Sequence, residues 1–314
     1  MGLMRNLAGF VAATVLSMGT AFADDWSPNG TLKLQIAFGA GGSTDTMGRV
    51  LAQVIKEQTG WSIIAENKTG GGGVAMMTGI ANMPARGLVM GIGVNEPILV
   101  NLAQRGDELA FDLDSFDYVG TVARGQLSIV ASADAPFSDL AGVVQHVKDN
   151  GPIAIPYSAA GQRALFEVVA KAEGIDFKFV TSKGGAELLK LLLGGQVQAA
   201  FGSGEELRYL ESGDMKVLAS VGPERLSHTP DALTFIESGY DVFIDPVWYI
   251  ATTAGTDPAA LDALRAAVDA AIKDPRVVEI VQNMTKADPI NLGAEGTREM
   301  MVGGMAVAEK LAGK

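Results

Sequence analysis

The chain contains no cysteine. Disulfides, thiol nucleophiles and thiolate metal sites are therefore excluded, as is the lipidated cysteine of a bacterial lipoprotein. Histidine is almost absent. His146 and His228 are the only two, and both lie in polar stretches far along the chain from the glycine-rich loops described below. There is no HExxH, no GxSxG and no GxxxxGK[ST]. Gly202-Ser203-Gly204 is only superficially like a nucleophile elbow. These gaps predict a protein that is not an enzyme and that carries no cofactor or metal. Positive charge is also short: 24 Lys and Arg against 36 Asp and Glu give a net charge of −12. Such acidity disfavours nucleic acid and anionic lipid as partners. It also means that any preference for an anion must come from local dipoles and not from the field of the whole molecule.

Long apolar runs are confined to the start. Arg5 supplies a short positive beginning, and Leu7 to Met18 is apolar but too short to span a bilayer. Ala21-Phe22-Ala23 then has the small-x-small pattern that signal peptidase needs, with Asp24 and Asp25 directly after it. The pattern predicts export and cleavage after Ala23 into the periplasm, without a lipid anchor. Loss of Arg5 makes the mature chain one unit more acidic.

What remains is too long for one compact core and suits two lobes. Strand and helix signals alternate. LKLQIAF at 32–38, SIIAEN at 62–67 and LVMGIGV at 88–94 read as strands, with helical periodicity at 43–58 and 73–83 between them. A second alternating run begins at LSIVAS, 127–132, and ends at MKVLASV, 215–221. VWYIAT at 247–252 then returns to strand, followed by helices at 258–273, 275–284 and 294–311. The expected fold is α/β: a two-lobe periplasmic-binding-protein (Venus-flytrap) architecture in which each lobe is a mainly parallel sheet flanked by helices. The expected division is a signal peptide at 1–23, a first lobe of 24–125 plus 225–314, and a second lobe of 126–224.

Two glycine-rich strand-to-helix loops stand out. The first is Phe38-Gly39-Ala40-Gly41-Gly42-Ser43-Thr44-Asp45, the second Asn67-Lys68-Thr69-Gly70-Gly71-Gly72-Gly73. Glycines let a ligand approach the main chain, Ser43 or Thr44 is suited to cap the helix, and the helix N-terminus favours a carboxylate or phosphate. Taken alone, either loop reads equally well as a tight turn. Gly39-x-Gly41-x-x-Thr44, with Glu66 after it, also approaches a dinucleotide fingerprint but lacks its third small residue. Comparable turns follow in the second run at Tyr157-Ser158-Ala159-Ala160-Gly161-Gln162-Arg163 and at Thr181-Ser182-Lys183-Gly184-Gly185. Arg163 is either a fork for a carboxylate or a surface helix residue.

These residues resemble a family. Ile36 to Asp45 looks like the first ligand loop of the substrate-binding proteins of tripartite tricarboxylate transporters, the Bug family. Asn67 to Gly73 is similar to its second loop, and Leu192-Leu193-Gly194-Gly195-Gln196-Val197 to a further signature. Trp248-Tyr249 before Ala254-Gly255-Thr256-Asp257-Pro258 resembles its late strand and helix start. One segment departs: Ser158-Ala159-Ala160-Gly161-Gln162-Arg163 stands where the family usually reads Ser-x-Gly-x-Gly-Ser/Thr. The resemblance implies a monomer that closes on a small organic anion, a carboxylate, and delivers it to a two-component membrane permease. The implied contacts are Phe38, Gly41, Gly42, Ser43, Thr44, Asp45, Gly71, Gly72 and Asn95 from the first lobe. Tyr157, Ser158, Gly161, Arg163, Ser182, Gly184 and Ser203 come from the second, and Trp248 from the late strand. The alternatives are a ligand-presenting component of a sensing system and a nucleotide-dependent oxidoreductase.

Overall fold

The computed structural model describes residues 26–314; the expected export segment lies outside the described residues. The first lobe opens with β1 (Leu32–Ile36), α1 (Ser43–Thr59), β2 (Ile63–Asn67), a 3-10 turn (Gly71–Gly73), α2 (Val74–Ala81), β3 (Val89–Val94) and α3 (Asn95–Arg105). Strand β4 (Phe116–Arg124) leads into the second lobe, which holds β5 (Ser128–Ser132), α4 (Leu140–Asn150), β6 (Ala154–Tyr157) and α5 (Ala160–Glu173). It continues with β7 (Lys178–Thr181), α6 (Gly185–Leu193), β8 (Ala200–Gly202), α7 (Leu207–Glu211) and β9 (Met215–Ser220). The chain then returns through β10 (Val247–Thr253) to α8 (Pro258–Ala271), α9 (Pro275–Thr285), α10 (Gly293–Gly303) and α11 (Met305–Leu311). Among the described residues no helix is long and apolar enough to cross a membrane.

The sheet of the first lobe has the order β2-β1-β3-β10-β4. Strands β1, β2 and β3 are mutually parallel, and β10 is antiparallel to both β3 and β4. In the second lobe β6 and β7 are parallel, while β5 is antiparallel to β8 and β9. The sheets are therefore mixed: in the first lobe β1–β4 run one way and β10 the other, and in the second lobe β5 opposes β8 and β9. The crossings explain the difference. Strands β5 and β10 each enter a lobe from the hinge, so they run away from it, against strands whose carboxyl ends point at it. Those ends carry the connecting loops to one place, the cleft between the lobes.

Helix α1 shows how local sequence sets the frame. Met47, Leu51, Val54 and Ile55 recur at helical spacing and are buried against the sheet. The helix stops at Gly60, whose φ of 74° is left-handed and whose N–H donates to the Lys56 carbonyl. The second lobe extends further than expected. Beyond β9, Phe235 donates its N–H to the Ser220 carbonyl, Ile244 donates to Val221, and the Phe235 ring packs edge-on against Phe166. Residues 221–244 thus stay with the second lobe, and the return crossing falls at 244–247 instead of near 225. Polar, turn-rich spacing hid this attachment, which rests on backbone bonds and on the scattered buried side chains of Phe235, Tyr240, Val242 and Ile244.

Candidate functional site

Helix N-termini divide into two kinds. Helices α4, α8 and α9 are capped by Asp139, Asp257 and Asp274, each of which accepts a backbone N–H. Helices α1, α3, α5 and α6 have no side-chain cap. Helices α2, α7, α10 and α11 also lack a side-chain cap, but the four that follow β1, β3, β6 and β7 are the ones that start at the cleft. Unsatisfied N–H groups and the positive ends of the dipoles therefore converge there, where an acceptor can be held.

A cavity of about 50 Å³ lies between the lobes. From the first lobe Phe38, Gly42, Ser43 and Thr44 line it, with Val94, Glu96 and Pro97 from the start of α3 and Pro246 and Trp248 from the return crossing. From the second lobe come Leu127, Ser158, Ala159, Gln162, Gly185, Leu188, Phe201 and Ser203. Lobe contacts seal its rim. The Gly39 N–H donates to the Lys183 carbonyl at 2.9 Å, and the Ser43 and Ser203 hydroxyls are 3.3 Å apart. Gly204, with φ of 111°, brings the second lobe against the Met284 carbonyl of α9.

The first glycine loop is held from behind. Asp45, 4 % exposed, accepts from the Gly41 N–H (2.9 Å), Arg49 Nε (2.8 Å) and Asn67 Nδ2 (2.7 Å). Asn67 also donates to the Phe38 carbonyl, at 2.9 Å. Burial pushes the Asp45 carboxyl up, but these bonds and the Arg49 charge outweigh it and hold the pKa below the usual value. Thr44 Oγ1 accepts from Trp248 Nε1 at 2.7 Å, which leaves the threonine proton free to donate. In the second lobe Gln162 Oε1 accepts from the Ser158 N–H at 2.8 Å and fixes that loop.

Two glutamates complete the walls. Glu205 reaches from the second lobe to the N-terminus of α1, where its Oε1 accepts from the Ser43 N–H (2.5 Å) and its Oε2 from Ser203 Oγ (2.8 Å). A Cβ on Gly185, in the first turn of α6, would fall 2.5 Å from Glu205 Oε1. The carboxylate therefore sits between two uncapped helix ends. Glu96, in the first turn of α3, is buried, its Oε1 has no hydrogen-bond partner, and it faces Gly161 of α5. Burial pushes its pKa up to about 8. Behind Glu205, the buried Glu206 accepts from Ser128 Oγ (2.8 Å) and the Gly204 N–H (2.7 Å). Burial, with the neighbouring Glu205 charge, raises its pKa to about 7. Among the described residues no group of three or more metal-ligating side chains occurs.

Of the expected contacts, Phe38, Gly42, Ser43, Thr44, Ser158, Ser203 and Trp248 line the cavity. The others surround it without lining it. The Asp45 carboxylate is engaged by its own loop and braces it. Gly41 donates to that brace. Gly72 packs against Pro97 and Ala159, and Gly71 belongs to the same 3-10 turn. Asn95 ties down the return crossing by accepting from the Val247 N–H at 2.9 Å. Ser182 bonds the Tyr157 carbonyl, and Gly184 packs on Phe38. Arg163 is exposed, pairs with Glu167 at 2.7 Å, and lies over the rings of Tyr157 and Phe179. It points away from the cavity because i,i+4 pairing and aromatic stacking hold it at the surface. Gly161 packs against the Glu96 carboxyl. Glu96, Gln162, Leu127, Phe201 and Glu205 were not foreseen. A polar Asn-Glu-Pro directly after the third strand was the available signal for Glu96.

Residues 47–306 match the family described as "Tripartite tricarboxylate transporter family receptor". Protein BugT of Bordetella pertussis is 28 % identical over 284 residues, covering 88 % of this chain and 87 % of that protein. Among solved structures, one titled "Structure of a periplasmic transporter" superposes with a TM-score of 0.81 at 25 % identity, covering 91 % of this chain and 97 % of that one. MatC from Rhodopseudomonas palustris, solved with bound malate, gives a TM-score of 0.79 at 20 % identity, covering 90 % and 98 %.

Proposed function

Since the chain belongs to the tripartite tricarboxylate transporter receptor family, we propose that it is a periplasmic receptor which closes its two lobes on a small carboxylate and delivers it to a membrane permease. The observation that carries the carboxylate reading is the seat of Glu205. A carboxylate already rests between the uncapped ends of α1 and α6, on the Ser43 N–H and the Ser203 hydroxyl. A solute carboxylate that displaces Glu205 from the Ser43 N–H meets the same chemistry there, with the free proton of Thr44 beside it. Malate in MatC supports the class of ligand. Hydrogen bonds to a charged group contribute about 1.5–3 kcal/mol each. Three or four of them supply the ~8 kcal/mol of micromolar binding when the donors are already in place.

Binding proceeds by hinge closure. The two crossings at 124–128 and 244–247 are short, and the glycine-rich rims meet along backbone, which suits a rigid-body motion. Titration calorimetry over a panel of small carboxylates is expected to find at least one micromolar ligand. Small-angle scattering is expected to show a smaller radius at saturation. A panel in which only neutral solutes bind would remove the carboxylate reading, and an unchanged radius would remove closure. Delivery is tested by co-purification of the loaded protein with a co-expressed two-component permease of the tripartite tricarboxylate type.

A further inference from the structure

The charged side chains of the cavity wall are all acidic. Glu96 lines it and Glu205 lies at its edge, while no lysine, arginine or histidine lines it. Glu96 makes no hydrogen bond within the described residues, its Oε1 is fully buried, and the second-lobe group facing it is the Cα of Gly161. Nearby charges are committed elsewhere. On α5, Arg163 pairs with Glu167 and Glu173 with Lys148. On α11, Lys310 pairs with Asp241, and on the return crossing Asp245 pairs with Arg124. Lys171, further along α5, is exposed. The cavity is therefore polar in opposite senses: donors gather at the α1 end, and an acceptor without a donor waits at the α3 end. A buried acceptor in that condition is stabilised by any solute that brings a donor to it. Once Glu96 is ionised, a second solute carboxylate would face a like charge a few ångströms away in a poorly solvated space.

We propose that the solute carries a protonated nitrogen as well as its carboxylate, and that Glu96 is the specificity-determining residue that pairs with that nitrogen. This rests on the carboxylate reading above and narrows it to a zwitterion. The volume of the cavity, room for roughly three to five waters, limits the solute to a few carbons unless the lobes part further.

Matched probes separate the two readings. The wild-type protein is titrated calorimetrically with propanoate, β-alanine, L-alanine and succinate. One of the amino acids is expected to bind at least tenfold more tightly than propanoate, and succinate is expected to bind more weakly still. Binding an ammonium requires Glu96 to release the proton that burial lets it keep up to about pH 8. Affinity should therefore rise about tenfold per pH unit from pH 5.5 to 7.5, with one proton released to buffer. E96Q should lose the amino-acid preference, so that β-alanine and L-alanine bind no more tightly than propanoate. If the acids bind with no nitrogen preference, or succinate binds best and more tightly toward low pH, Glu96 acts as a proton donor. That result overturns this proposal and leaves the carboxylate reading intact. If none of the four binds, this proposal falls, and the wider carboxylate panel decides the reading it rests on. The pH profile and the probe pairs need no variant, so a folding defect in E96Q would not blunt the test.

Discussion

At the scale of single residues, Asp45 shows how a side chain serves a site it does not line. Its three bonds fix the loop from Phe38 to Ser43 from behind. Asp45→Ala leaves the Gly41 N–H and the Asn67 amide without their acceptor and is expected to cost about 2–4 kcal/mol in urea unfolding. D45N, which keeps the shape, should cost less. Because the folded pKa is depressed, this stabilisation is complete above the usual aspartate range and fades as pH falls toward the folded value. The sequence showed which loop held the site but not which atoms faced the cavity. Glycine spacing marks a loop, whereas the direction of a carboxylate depends on Arg49 and Asn67, which come from a helix face and from the next strand. Glu96 escaped notice for the same reason: what sets it apart is the lack of a partner in three dimensions.

Among the elements, the aspartate-capped helices lie away from the cleft. D139A, D257A and D274A should each lower stability by about 1 kcal/mol and leave solute affinity unchanged. Gly204 tests the lobe contact. A methyl group there would fall 2.5 Å from the Met284 carbonyl and 2.9 Å from its Cα, so neither side has a flexible end to yield. G204A is expected to enlarge the scattering radius and to weaken binding at least tenfold. Strands and helices with clear periodicity were legible, among them β1, α1, β6 and β10. Helix α3 was not: Val94 at its N-cap lacks capping chemistry, and Pro-Ile-Leu-Val reads equally well as strand. The final helix, expected to run unbroken over 294–311, divides between Gly303 and Met305, where Gly304 packs on Leu99 of α3.

For the molecule as a whole, buried acids set the response to pH. Glu96 and Glu206 keep their protons in the folded state up to about pH 8 and about pH 7, whereas in the unfolded chain they release them near 4.5. Between those limits the folded state binds more protons, so stability falls as pH rises, by up to about 1.4 kcal/mol per unit for each group. Melting temperature should accordingly climb as pH is lowered from 8 to 5 and drop again below 4, where Asp45 and other bonded carboxylates protonate. E206Q should flatten the part of this slope below pH 7. The two-lobe α/β plan was readable from the alternation of elements. The antiparallel strands β5 and β10 were not, because direction follows from where the chain crosses the hinge, and hydrophobic periodicity carries no sign of direction.

The hydroxyls of Ser43 and Ser203 face each other across the cleft at 3.3 Å, in a chain that has no thiol. Replacing both with cysteine would put two sulfurs within reach of a bond of about 2 Å and introduce no competing partner. Oxidation would then turn the hinge into a clasp. Solute caught before the bond forms should stay bound through dialysis and leave only after a reductant is added, and the same protein without oxidation should release it freely.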